Sequence, residues 1–90
     1  MRAKAVGARL KAIREAHNLI GAKVADMLGV ERTYWSRWET GTRPIPVDIA
    51  YQITTLFEVD LDFIYLGDLR SVPPELQSKL LEFHRDQTEI

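Results

Sequence analysis

Ninety residues bound the chain to one small domain, large enough to close a single core without metal or disulfide support, though not by a wide margin. With 46% hydrophobic and 28% charged residues and no cysteine, the composition is that of a globular chain. It excludes a disulfide framework, a thiolate metal site and a cysteine nucleophile. The net charge of -1 conceals a bipolar molecule, because residues 1–45 hold nine Lys/Arg against four Asp/Glu and residues 46–90 hold three against nine, so a half at +5 that suits a phosphate surface precedes one at -6. No apolar run approaches the roughly 20 residues that a membrane span needs. The N-terminus, with Arg2, Lys4, Arg9 and Lys11 among alanines, lacks the apolar centre of a signal peptide, so a cytoplasmic location is expected.

In chain order, Val6, Leu10 and Ile13 follow helical spacing and predict a first helix over residues 3–17, with Asn18 in a left-handed terminal position and Leu19 as its apolar closure. Val24, Ala25 and Leu28 give a narrow stripe for a short second helix between Gly21 and Leu28, which Gly29 stops. Only Gly29-Val30-Glu31 separates it from the next helix, and that is the length of the turn in a helix-turn-helix. The third helix, residues 31–40, is the informative one. At about 100° per residue, Arg32, Thr33, Ser36, Arg37 and Thr40 share one side while Trp35 and Trp38 fall on the other. Two buried indoles would hold so short a helix rigidly. A small, hydroxylated and basic outer face is what a major groove accepts, since arginine can bond guanine O6 and N7 and threonine can meet a thymine methyl.

After Gly41, Thr42-Arg43-Pro44-Ile45-Pro46 reads as an extended loop in which Pro46 can open a fourth helix to Glu58, burying Ile49, Ile53, Leu56 and Phe57, with Ala50 allowing close approach. Asp60 is placed to cap a short fifth helix whose Phe63, Ile64 and Leu66 are expected to face inward, and Gly67 closes it. Residues 69–72 lead to Pro73-Pro74, after which Leu76, Leu80 and Phe83 recur at helical spacing to about Gln87. Strand-like alternation is absent, so the fold class is all-α. Neither His17 nor His84 has a second ligand at zinc spacing. Asp60 and Asp62 read as helix-start acids without a nucleophile or base set beside them. No metal, cofactor, small-molecule ligand or enzymatic activity is expected.

Arg9-Leu10-Lys11-x-x-Arg14, Leu19, Ala25-x-x-Leu28-Gly29-Val30, Ser36-Arg37-x-Glu39-x-Gly41 and Val59-x-Leu61-x-x-x-x-Leu66-Gly67 together resemble the Xre-type helix-turn-helix domains of phage repressors, Cro proteins and small bacterial regulators. The resemblance spans about residues 6–67. It implies a five-helix bundle of the lambda-repressor type over residues 1–67, here followed by a linker and sixth helix over 68–90, with the third helix entering the major groove and two copies reading a near-palindromic operator. By position it assigns Arg32, Thr33, Ser36 and Arg37 to base edges and Thr40, Thr42 and Arg43 to phosphates, and it pairs Arg14 with Glu39 between helices 1 and 3. Tyr34 can cover the core's edge or reach a phosphate. The family commonly starts helix 2 with a hydroxyl cap and a phosphate-binding glutamine; Ile20-Gly21 departs from that, and Lys23 or Arg9 is the expected substitute clamp. The apolar groups expected to join two copies are Phe63, Tyr65, Leu76, Leu80 and Phe83, the alternative being that the C-terminal helix folds back on its own domain. A transcriptional regulator of double-stranded DNA is therefore the leading expectation, a repressor by type. The Ile20-Gly21 departure and the acidic second half favour a second one, a protein-binding adaptor that keeps the fold without binding DNA.

Overall fold

Six helices form among the described residues, and each of the first five ends at a residue that turns the chain. The computed structural model describes the backbone of residues 2–88 and the side chains of residues 2–82. The helices are α1 (Ala3–Ala16), α2 (Gly21–Leu28), α3 (Arg32–Thr40), α4 (Val47–Phe57), α5 (Leu61–Leu66) and α6 (Pro74–Thr88), with no strand among the described residues. At the end of α1, Asn18 takes a left-handed φ of 57° and the Leu19 amide donates back to the Arg14 carbonyl at 3.1 Å. Asp60 caps α5 as expected, its Oδ1 accepting from the Phe63 amide at 2.9 Å. Glu58 closes α4 with a φ of 56°, a left-handed position that a side chain occupies at a cost.

α1 lies at the centre, packed by α3, α5 and α6, while α2 bridges α3 and α4. Leu10 and Ile13 of α1 belong to one apolar cluster with Val24, Ile53, Ile64 and Leu80, one from each of α2, α4, α5 and α6, and all six are almost fully buried. Among the described residues, no polar or charged residue is fully buried. The core is therefore held by apolar burial, worth about 1.5 to 3 kcal/mol for each large side chain.

Two side chains expected inside are outside. Leu56 is 43% exposed, because Ala50, Ile53 and Phe57 define the inward line of α4 and Leu56 stands roughly a quarter turn from it; Ile49, on the same flank, is half-buried. Leu66 is 66% exposed, since Phe63 and Ile64 take the inner side of α5. The opposite holds for residues expected to face a second copy. Phe63, Leu76 and Leu80 are buried in the chain's own core, because α6 folds back along α1 and brings Val72 with it. Tyr65 is half-buried, with its hydroxyl 3.4 Å from the Ile45 carbonyl. The Phe83 side chain lies outside the described residues. Among the described residues, no helix is long and apolar enough to cross a membrane.

Candidate nucleic-acid interface

The inner side of α3 is tied down at both ends. Trp35 and Trp38 are 4% and 7% exposed and meet edge to face, their ring centres 6.5 Å apart. The Arg14 guanidinium grips Glu39 through two bonds, Nε to Oε2 at 2.9 Å and Nη2 to Oε1 at 2.7 Å, and its Nη1 donates to the Leu19 carbonyl at 3.0 Å. The Arg14–Glu39 pair implied by the sequence is present, and it has a third member. The Trp35 indole N–H donates to Glu39 Oε2 at 2.6 Å, so one carboxylate joins α1 to the middle of α3, while Arg14 itself reaches the turn after α1. Both charged side chains are shielded, at 16% and 13% exposure, which strengthens the bonds and makes an unpaired partner costly. The bond to Glu39 raises Arg14 above the already high arginine value.

Glycines set how closely α3 can be approached. A methyl group on Gly7 would stand 2.4 Å from the Glu39 carbonyl oxygen and 2.7 Å from that of Trp38, so α1 rests directly on the last carbonyls of α3. Gly41, with a φ of 80°, ends α3 where a side chain would meet the Lys4 backbone at 2.6 Å. Neither contact was legible from spacing, since a glycine within a helical stripe gives no hint of what lies across from it.

With that side fixed, Arg32, Thr33, Ser36, Arg37 and Thr40 are all exposed along the other. The loop after α3 continues the surface. The Arg43 amide donates to the Arg37 carbonyl at 3.2 Å, the Thr40 and Thr42 hydroxyls are bonded at 3.0 Å, and the Arg43 side chain is exposed. Tyr34 is 47% exposed and lies nearly parallel to the Trp38 ring at a centre distance of 6.3 Å. Lys23 is exposed on α2.

Arg9, expected at a phosphate, is engaged elsewhere. Its Nη1 donates to the Ile64 carbonyl at 3.2 Å near the end of α5, and its guanidinium lies over Gly67, where a methyl group would be 3.1 Å away. Burial lowers its pKa, and among the described residues its Nε has no partner. The side chain fastens α1 to α5 and completes that helix's C-terminal end. Sequence could not separate the two roles, because an arginine on a half-apolar helix serves either.

Between α2 and α3 lies a cleft of about 340 Å³ whose walls include Ile20, Gly21, Arg32, Trp35 and Ser36. Gly21 and Ala22 begin α2 without a side-chain cap, and Ile20 before them is 69% exposed. A methyl group added to Gly21 would meet Trp35 Cδ1 at 3.2 Å, so the indole lies against the backbone where the resemblance places a glutamine.

Comparison with known proteins gives the same outline. Residues 5–62 match the family described as "Helix-turn-helix domain". The chain is 26% identical over 82 residues to the uncharacterized HTH-type transcriptional regulator YobD of Bacillus subtilis strain 168, covering 91% of this chain and 72% of YobD. It is 30% identical over 77 residues to the HTH-type transcriptional regulator RamB of Mycobacterium tuberculosis, strains CDC 1551 / Oshkosh and H37Rv, covering 86% of this chain and 16% of RamB. The chain thus spans most of the first relative and under a fifth of the second. No solved structure matches significantly.

Proposed function

The chain belongs to the helix-turn-helix domain family, and from that premise we propose that it is a sequence-specific transcriptional regulator that reads double-stranded DNA with α3. One observation carries the reading: α3 is clamped from behind by Trp35, Trp38 and the Arg14–Glu39 pair while Arg32, Thr33, Ser36 and Arg37 stand exposed in front. Arg32 and Arg37 bond guanine edges, and Thr33 and Ser36 contact neighbouring bases. Lys23, Tyr34, Thr40, Thr42 and Arg43 hold phosphates on either side. The basic first half faces the duplex and the acidic second half faces away. The similarity to YobD and RamB, both described as HTH-type transcriptional regulators, supports this assignment.

The protein binds as a twofold pair on a near-palindromic site and represses by occupying it. With Phe63, Leu76 and Leu80 inside the protomer, the large apolar groups open to a second copy on α4 and α5 are Val47, Tyr51 and Leu66, at 61 to 66% exposure, and Leu56 at 43%. Fluorescence anisotropy with duplex from the region upstream of the gene tests the proposal. Binding that is selective over scrambled duplex and weakens steeply with salt is the expected result. Equal affinity for scrambled DNA would remove sequence recognition. Absence of duplex binding together with one stoichiometric protein partner would favour the adaptor reading, for which the exposed Ile20 beside Gly21 is the motivating feature.

A further inference from the structure

Position 21 stands at the first turn of α2, where a side chain would be tolerated by the backbone and where alanine has the higher helix propensity. Glycine there needs a local reason, and the surroundings supply one. The first atom of any side chain would come within 3.2 Å of Trp35 Cδ1 and 3.5 Å of its Nε1. The indole has little room to yield. Its N–H is bonded to Glu39 at 2.6 Å, that carboxylate is held at both oxygens by Arg14, and the ring system meets Trp38 edge to face at a centre distance of 6.5 Å.

We infer that Gly21 is a positioning residue that sets base discrimination: its missing side chain seats Trp35 against the α2 backbone, and that contact fixes the angle at which α3 presents Arg32 and Ser36. Both of those residues line the same cleft as Gly21 and Trp35, Arg32 three positions before the indole along α3 and Ser36 one position after it. A shift of a few tenths of an ångström at Trp35 is therefore delivered to the reading side chains with no other packing between. The opposite account is that position 21 is merely a vacant phosphate clamp, and the two make different predictions.

The inference rests on the proposed DNA-binding role, so the wild-type chain is first titrated with its operator and with scrambled duplex; lack of selectivity there would defeat that role and leave the indole contact to be judged by spectroscopy alone. Gly21→Ala and Gly21→Gln are then compared with wild type over duplexes changed one base step at a time, at several salt concentrations. Gly21→Ala is expected to lower operator affinity about tenfold, with discrimination lost at the steps read by Arg32 and Ser36 and an unchanged salt slope. In the free chain, the Trp35 indole N–H resonance moves while that of Trp38 stays close to its wild-type position. Unchanged discrimination and an unmoved Trp35 resonance would overturn the inference. So would a Gly21→Gln chain that binds every duplex more tightly with a salt slope steeper by about one phosphate, as a restored clamp requires. Loss of the folded state in Gly21→Ala would also count against it, because position 21 would then support the fold as a whole and not the reading angle.

Discussion

Arg37 and Arg43 are two exposed arginines six positions apart to which the proposed function gives different work. Arg37 lies in the row with Arg32, Thr33 and Ser36, whereas Arg43 stands on the loop that follows. Truncating Arg37 to alanine is expected to cost about 1 to 3 kcal/mol on the operator and to relax preference at one base step, while Arg43→Ala weakens all duplexes alike and lowers the salt slope by about one. Competition titrations with single-step variants of the site separate the two. Glu39 works behind the surface. Removing it strands the Arg14 guanidinium and the Trp35 N–H in a shielded position, so Glu39→Ala should destabilise the fold by about 3 kcal/mol. Replacing Arg14 and Glu39 together by Met and Leu should cost less than the two single changes summed, a difference that urea unfolding resolves.

At the scale of elements, the approach of α1 to α3 is the tightest constraint found. Gly7→Ala gains helix propensity of up to about 1 kcal/mol, yet the new methyl group would collide with two backbone carbonyls that cannot rotate away. The expected net loss is about 2 kcal/mol, visible as a lower melting temperature. Glu58→Gly should act the other way. It relieves a left-handed residue at the end of α4, and after the added freedom of the unfolded chain a gain of about 0.5 to 1 kcal/mol remains. Helix extents were legible in the sequence because Asn18, Gly29, Gly41 and Gly67 punctuate apolar stripes of helical period, and the two indoles identified the inward side of α3. Leu56 and Leu66 were not, since a stripe has an edge and hydrophobicity alone does not say on which side of it a leucine falls. Arg9 and the third bond to Glu39 depend on what folds against α1 and α3, information that periodicity does not contain. The fate of α6 was open for the same reason: one apolar stripe fits a neighbour in the same chain as well as one in another copy.

For the whole molecule, charge and shape act together. The +5 half includes α3 and the loop that continues its surface, and the -6 half includes α4, α5 and α6. For the proposed DNA binding, the exposed basic side chains of α2, α3 and the loop after α3 make both association and affinity sensitive to salt. Among the described residues the core is one cluster to which five of the six helices each contribute at least one almost fully buried side chain, so the exposed face of α3 is carried by a close-packed body centred on α1. The most direct measurement is selection of bound duplexes from a randomised pool by the wild-type chain. Enrichment of an inverted repeat with guanine steps in each half-site, half-site centres about one helical turn apart, is the result the account predicts. A pool recovered without any enriched sequence, from a chain shown to be folded, would contradict it.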